Sequence, residues 1–590
     1  MSYVEYSYVG DTERISSKRT VKSNGEIEDI IEYVYDSRGR VASVTRSSGD
    51  DPSEYIKKEY EYDSENRIIS ETTTNHGKEN VIRYAYDSEG RLEYKGYPSD
   101  TGIGLLSYEY DQWGRCTAVK EDDEVLREYI YYWFGEVSVI KDYDKPGSSS
   151  FTRTVFEYDP LFRQTAVKTY EDSGSNLLES HVYEYDNLNQ ISKYTHVNNM
   201  TSDAVNEERT YIYDSYGNLS RSVKTDKTDS TAVTTSYVYD DVGNRISMTE
   251  GGVTTTYSYN SLDQLTQQTS NGATVKYSYD QKGNCIKESG NGKTVTMDYS
   301  VLGEMTEWSD GTLTQTNAYD HNGQRVKKTE NSDTDYYFYD NGAVAVIEDS
   351  SSVTAANILN NEGGIIGSYR GSVYHNYLKD MQGSVTSIIK EDGTLSASYD
   401  YTDFGETTEL TGNSFDNQIC YTGGIYDKET GLYYLNARYY DPEIGRFISQ
   451  DSYRGELNDP GQWHLYAYCA NNPINYVDPS GHEKVNVTSS KVYWWGILNK
   501  LSYKKAKNFR YTLGQCKTLI DGVTAILTCG GIFEKNGNML SYFSFAQLLL
   551  SEYVSYFRSR IKACNVKGKG IKYKLFWGFA FKMRTQGKKW

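Results

Sequence analysis

The sequence predicts a mostly β protein, a spiralling array of antiparallel hairpins followed by a small α+β domain. Three observations carry that expectation. A short phrase, an alternating aromatic pair closed by a polar turn as in Tyr33-Val34-Tyr35-Asp36-Ser37-Arg38-Gly39-Arg40, returns fourteen times in the first 340 residues. Tyrosine supplies 59 of 590 residues while the hydrophobic fraction is 37%, a balance that favours amphipathic aromatic strands over an aliphatic core. Proline is scarce, at 8 residues, as suits a continuous sheet.

The fourth position of the phrase falls at Asp36, Asp63, Asp87, Asp111, Tyr132, Asp159, Asp186, Asp214, Asp240, Asn260, Asp280, Ser300, Asp320 and Asp340. Early spacings run from 21 to 28 residues and the last five are 20 each. Self-similarity at this period marks a stacked array, not several globular domains. Within a unit the flanks alternate: Val253, Thr255, Tyr257 and Tyr259 share one face and Thr254, Thr256 and Ser258 the other, the period of a half-buried strand. The Asp-x-x-Gly-Arg or Asp-x-x-Gly-Asn stretch supplies a side chain that bonds its own backbone and a glycine free to take positive φ. Each repeat therefore reads as a hairpin of two strands of about six residues. One hairpin cannot bury its aromatic face alone, but a coil of them can. The array is assigned to residues 1–350.

Seven cysteines, Cys116, Cys285, Cys420, Cys469, Cys516, Cys529 and Cys564, show no C-x-x-C spacing. They indicate neither a zinc site nor a disulfide framework, so buried thiols, no metal and no cofactor are expected. Met1-Ser2-Tyr3 leads directly into repeat-like alternation without the layout of a signal peptide. Either export takes another route or the chain is the C-terminal part of a longer one. Charge divides the molecule: 42 of 62 basic and 78 of 82 acidic residues precede Glu483. A tail of +16 thus follows a body of −36, which marks a domain boundary near residue 482 and lets the acidic part attract the basic one.

Before that boundary, residues 351–482 carry an ordered series of motifs. These are Tyr377-Leu378-Lys379-Asp380-Met381-Gln382-Gly383, Tyr399-Asp400-Tyr401-Thr402-Asp403-Phe404-Gly405, Gly431-Leu432-Tyr433-Tyr434-Leu435-Asn436-Ala437-Arg438-Tyr439-Tyr440-Asp441-Pro442, Gly445-Arg446-Phe447, Asn471-Asn472-Pro473 and Asp478-Pro479-Ser480-Gly481. With the upstream Tyr-Asp units they resemble the repeat-associated core of bacterial Rhs and YD-repeat proteins, over about four fifths of the chain. That group includes wall-associated contact toxins and the C components of insecticidal toxin complexes. The resemblance implies a hollow β-sheet shell, a cocoon plugged at one end by residues 351–482, with the variable effector, residues 483–590, held inside as cargo. It also implies a secreted or surface-associated polymorphic toxin of the contact-dependent kind, with an immunity protein among its partners. The residues agree physically, since an inner face of Tyr, Ser and Thr offers no fixed hydrophobic template and an acidic wall favours a cationic guest.

The resemblance further implies release of the tail by self-cleavage, using aspartates near the Asp-Pro-x-Gly motif and an upstream arginine. The matching positions are Arg438, Asp451 and Asp478, with the cut between His482 and Glu483. Two carboxylates brought together do not both ionise easily, so one acts as general acid while the other activates water. Because the scissile bond belongs to the same chain, a weak pair suffices for a single-turnover aspartyl autoprotease. Position 482 is His where the family commonly has Leu, Ser452 stands where Pro often follows, and Tyr453–Pro460 intervene. Asp459 is therefore an alternative to Asp451. The plainer reading is that Asp451, Asp459 and Asp478 shape turns and that Arg438 pairs with a neighbouring carboxylate.

The tail has no His or Pro after His482 and only Glu483, Asp521, Glu534 and Glu552 as acids. Those residues do not make the ligand sets of a metal-dependent nuclease or a zinc deaminase. Tyr493-Trp494-Trp495-Gly496 beside Lys500, Lys504, Lys505, Lys507 and Arg510 suits a membrane interface with anionic lipid. Thr518–Phe533 and Met539–Phe557 are apolar but too short or too polar for transmembrane helices. Ile571, Tyr573, Leu575, Trp577, Phe579, Phe581 and Met583 fall on one face of an extended segment, with Lys572, Lys574, Lys582 and Arg584 on the other. Three function classes follow: a toxin-delivery shell with a membrane-active tail, a structural surface protein binding cell-wall carbohydrate, and an effector directed at RNA or DNA.

Overall fold

Each turn of the array is built the same way. In the repeat at Asp36 the Gly39 amide donates to the Asp36 carbonyl (2.9 Å) and the Asp36 amide to the Arg40 carbonyl (2.9 Å), with Gly39 at φ +77°. The Asp36 carboxylate fastens the loop by accepting from the amides of Arg38 (2.8 Å) and Arg40 (2.9 Å). This is a type I turn closed by a left-handed residue, which adds one residue to the second strand as a bulge; the register slips between Val34 and Tyr35. Where glycine is missing, Asn66, Asn189 and even Phe162, at φ +62°, take the left-handed position.

The computed structural model describes residues 2–172, 174–202, 204–411, 415–455 and 463–487, together with the backbone of four short strands further on. It divides into two units, Met1–Val487 and Thr488–Trp590. In the first, thirty-six strands from Tyr3–Tyr8 to Thr407–Glu409 pair antiparallel, each with the next, in one continuous sheet. The hairpins run on past residue 350, where the sequence placed the end of the array, through turns at Asn360, Asp380 and Thr402.

Two contacts that the repeat phrase does not announce tie each hairpin to its neighbour. In most repeats the tyrosine before the aspartate donates its hydroxyl to the carbonyl of the residue five places after the preceding turn's first residue, whereas the Tyr239 hydroxyl is buried without a partner. Examples are Tyr62 to Val41 (2.8 Å), Tyr86 to Ile68 (2.8 Å), Tyr110 to Leu92 (2.7 Å) and Tyr213 to Ile191 (2.5 Å). The arginine closing one turn bonds its own aspartate and lies over the ring of that next tyrosine: Arg40 is 4.4 Å from the Tyr62 centroid, Arg67 4.7 Å from Tyr86 and Arg163 4.4 Å from Tyr185. An exposed ion pair alone contributes little. The guanidinium face on the ring and the buried carbonyl contact are what couple the repeats. Tyr86→Phe, which removes only the hydroxyl, is expected to cost about 0.5–1.5 kcal/mol in urea unfolding, and Tyr86→Leu, which also removes the ring, more.

The sheet coils and meets itself. Arg46 donates to the carbonyl of Asp320 (2.9 Å), Lys78 to Glu348 (3.1 Å), Tyr108 to the carbonyl of Leu359 (2.9 Å), Tyr369 to Glu121 (2.8 Å) and Arg209 to Asp400 (2.6 Å). The sequence separation across these contacts falls from 274 to 191 residues along the chain. Successive windings of one ribbon therefore stack side to side in a tightening spiral, which makes the unit a shell. One apolar cluster, with Ile82, Leu106, Val119, Leu126, Phe338, Ile358 and Tyr374, seals the seam between windings.

Residues 415–482 do not continue the ribbon. Four short strands, Ile425–Asp427, Leu432–Leu435, Arg438–Asp441 and Arg446–Phe447, form a separate sheet packed into the largest apolar cluster with the repeat tyrosines Tyr257, Tyr277, Tyr319, Tyr339 and Tyr401. This plug contacts the turn ends of the repeats. Asn472 and Asn471 donate to the carbonyls of the turn glycines Gly217 and Gly243 (2.8 Å each), Tyr466 to Gly283 (2.8 Å) and Tyr434 to Gly323 (2.9 Å). The Asn-Asn-Pro motif thus reads two adjacent repeats by their main chain.

Cys116, Cys285, Cys420 and Cys469 are free and buried, as expected of them; the other three cysteines lie outside the described residues. In the second unit, Lys491–Tyr493, Gly496–Leu501, Ile571–Leu575 and Phe581–Thr585 form a four-stranded antiparallel sheet. Of the extended segment expected near 571–584, Ile571–Leu575 and Phe581–Thr585 are two strands paired antiparallel, Lys572 with Arg584 and Tyr573 with Met583, while Trp577 and Phe579 lie outside the described residues. Pairing the halves satisfies backbone groups that one lone strand would leave to solvent. The apolar stretches Thr518–Phe533 and Met539–Phe557, and the helical part of the expected α+β domain, lie outside the described residues. Among the described residues no helix is long and apolar enough to cross a membrane.

Candidate functional site

At the end of the plug the chain returns to the strand Arg438–Asp441. Its first residue, Arg438, is 6% exposed, lies with its guanidinium carbon 3.5 Å from the Phe447 ring centroid, and donates to the Leu465 carbonyl (3.0 Å) and the Gly481 carbonyl (2.5 Å). Its remaining nitrogen faces two carboxylates, Asp451 Oδ2 at 2.8 Å and Asp478 Oδ2 at 3.7 Å. Burial pulls the guanidinium down to about 10, against the pull of both aspartates, so it remains charged at neutral pH. It supplies the positive charge between the carboxylates that a divalent cation would otherwise bring.

Asp478 is 3% exposed and opens the Asp-Pro-Ser-Gly turn. Its Oδ1 accepts from the amides of His482 (3.0 Å) and Glu483 (3.1 Å) and from the Ser480 hydroxyl (3.2 Å). Burial raises the Asp478 carboxyl above the usual range, and Arg438 and the His482 amide oppose it only in part. Asp451, 7% exposed, accepts from the Tyr453 amide (2.8 Å) on the same oxygen that meets His482 Nδ1 (2.8 Å). The structure therefore brings Arg438, Asp451, Asp478, His482 and Glu483 together, and Asp459 lies outside the described residues. Both aspartates accept backbone amides, Asp451 from Tyr453 and Asp478 from His482 and Glu483, so Asp478 alone of the two touches the 482–483 peptide group.

Sequence reasoning treated His482 only as the residue before that bond and did not see its ring on Asp451, nor Phe447 and the Leu465 carbonyl on Arg438. The Gly-Arg-Phe motif was the one available signal. A cavity of about 660 Å³, walled by turn residues Asn322, Asn341, Gly363 and Gly383, reaches Ser480 and His482. Gly481 fixes the approach: at φ +71°, an added Cβ would lie 2.4 Å from the Leu435 carbonyl oxygen and 3.2 Å from the Arg438 amide. Gly481→Ala is expected to store about 1–3 kcal/mol of strain and to push the Glu483 amide off Asp478, read as a lowered melting temperature.

A coiled ribbon of Tyr-Asp hairpins, closed by a core whose motifs clasp the repeat turns, defines a YD-repeat shell of the Rhs class. The chain belongs to the teneurin YD-shell family, whose model matches residues 145–474. It is 42% identical over 108 residues to the tRNA nuclease WapA of Bacillus subtilis (strain 168), covering 18% of this chain and 5% of that protein. It is 36% identical over 126 residues to the salivary gland surface protein 1 of Aedes aegypti, covering 21% and 4%. The chain thus spans a small part of the length of these relatives. Among solved structures it resembles the complex TcdB2-TccC3-Cdc42 (TM-score 0.51, 18% identity, 81% of this chain and 26% of that one). The Photorhabdus luminescens Tc holotoxin pore is similar in the same way (TM-score 0.50, 17% identity, 82% and 26%). At these identities the likeness is one of fold.

Proposed function

We propose that the chain is the shell of a secreted or surface-associated toxin, and that it frees its cationic C-terminal segment, residues 483–590, by one self-cleavage between His482 and Glu483. The domain plan is an array and plug up to residue 482 and an effector beyond it. One observation carries the reading: Asp478 Oδ1 lies 3.1 Å from the amide nitrogen of Glu483, the leaving group of that cleavage. There Oδ1 accepts the Glu483 N–H, and Asp478, protonated on Oδ2, turns to deliver its proton to this nitrogen once water addition has made it pyramidal. Asp451, held by Arg438 and His482, takes the proton of a water that adds to the His482 carbonyl, and the Arg438 charge offsets the negative charge that develops. The cavity reaching His482 gives that water a route.

The toxin assignment is supported by the tRNA nuclease relatives and the Tc toxin fold neighbours. The purified chain should separate into fragments of roughly 55 and 12 kDa out of 67.2 kDa, the smaller beginning at Glu483. A single intact band, or a different first residue, overturns the cleavage. Expression of residues 483–590 alone tests the effector. Growth arrest with dye leakage indicates a target-cell membrane and arrest with loss of RNA a nucleic-acid target. No arrest returns the chain to a structural role such as binding wall carbohydrate.

A further inference from the structure

We propose a divalent-metal site of the zinc type, made by Glu179, His181 and His196, at the seam between two windings of the shell. Glu179 and His181 share one face of the strand Leu177–Tyr185, and His181 is directly paired across the ladder with His196 of the strand Ile191–Asn198. The three side chains are 1–3% exposed, and one ligand atom from each lies within 4.8 Å of the other two. Glu179 Oε1 is 3.0 Å from His196 Nε2 and 3.6 Å from His181 Nε2. Tetrahedral zinc with ligands at about 2.0–2.1 Å sets its ligand atoms about 3.3 Å apart, between these two values.

The 3.6 Å contact is too long for a hydrogen bond, so His181 Nε2 faces the carboxylate without bonding it, in a ring that also stacks on His196 at 4.7 Å between centroids. Glu179 also differs from the other buried carboxylates of this seam. Asp400 and Glu207 pair with Arg209 and Lys224, whereas among the described residues only the two imidazoles lie in ion-pair reach of Glu179. The second candidate cluster, His196 with Glu207 and Asp400, is therefore already neutralised.

Two of the trio, His181 and Glu179, are held by hydrogen bonds on their outer atoms. His181 Nδ1 bonds the Tyr194 hydroxyl (2.8 Å), which leaves Nε2 for the ion. Glu179 Oε2 accepts from Thr386 Oγ1 (3.1 Å) on the overlying winding, and Asn198 bridges from beside Glu179 to Ser387 (2.9 Å) and Ser398 (3.2 Å). A cavity of about 50 Å³ reaches His196 of the trio, with Tyr194 and Thr386 in its wall, and has room for a water. An ion here joins two neighbouring strands of one winding, and the Thr386 hydrogen bond to Glu179, 207 residues away in sequence, ties its carboxylate ligand to the next winding.

The test is the metal content of the full chain, without an affinity tag, produced in zinc-supplemented medium and dialysed. We expect about one equivalent of zinc, and after refolding with cobalt(II) the ligand-field bands of a tetrahedral nitrogen and oxygen site without thiolate charge transfer. His181→Ala and Glu179→Gln should each reduce bound metal at least tenfold, while His375→Ala, away from the trio, leaves it unchanged. Metal below about a tenth of an equivalent in the wild-type chain, thiolate bands in the cobalt form, or undiminished metal in both variants overturns the site. The wild-type measurements decide the matter even where a variant fails to fold.

Discussion

Asp478→Asn is expected to leave the chain as one intact 67.2 kDa band where the wild type yields two, with the cleavage rate down by about 10² or more. Asparagine keeps an Oδ1 acceptor for the amides of His482 and Glu483, so the Asp-Pro-Ser-Gly turn survives. It cannot carry a transferable proton. The substitution thus separates the two roles of this side chain: normal cutting by the asparagine variant means that Asp478 only shapes the turn. Asp451→Asn should fail comparably because the amide cannot accept the proton of water, while Asp459→Asn should cut normally. Reversed outcomes for those two would make Asp459 the partner. The rate also has a defined pH sense. In the proposed cleavage Asp478 acts in its protonated form, and burial raises its carboxyl, so cleavage should slow as pH rises through that raised value. A rate that climbs steadily with pH would exclude Asp478 as the acid.

The fold was legible because its signal is local and repeated. Asp36 with Gly39 specifies a turn wherever it occurs, and fourteen occurrences average out the exceptions, including Phe162 in a left-handed conformation. Arg40 and Tyr62 are 22 residues apart, so their stacking was visible only as two motif letters, without a reason for either. The seam was harder still. Arg46 on Asp320, or Glu179 under Thr386, depends on how many residues the ribbon needs to come round once, and no local pattern encodes that pitch. For the candidate site, Arg438, Asp451 and Asp478 came from motif positions that resemble the family's. The part played by His482 did not, because it departs from the residue that resemblance leads one to expect.

Asp427→Ala is expected to give the largest loss of stability of any single change considered, about 3–5 kcal/mol in chemical unfolding of the shell, and to loosen the plug. Asp427 sits in the plug strand Ile425–Asp427 and Arg325 in the wall strand Arg325–Glu330; both side chains are 0% exposed. The carboxylate accepts from both terminal nitrogens of Arg325 and from Gln315 (3.0 Å), and Lys328 lies 3.7 Å away. Arg325 in turn reaches the Tyr439 hydroxyl (2.8 Å), next to Arg438 of the candidate site. Removing the carboxylate strands a buried guanidinium, which costs far more than the pair itself contributes. Arg325→Met combined with Asp427→Leu should therefore recover part of the loss. Burial alone would push the Asp427 carboxyl up, but Arg325 and Lys328 outweigh it and hold it below its ordinary 3.8. Its contribution is then complete above that ordinary value and fades as pH falls through the lowered native one, so the plug should hold at pH 5 and give way only in stronger acid. A single variant within about 1 kcal/mol of the wild type would mean that the aromatic packing of the plug, not this charge pair, fastens it to the wall.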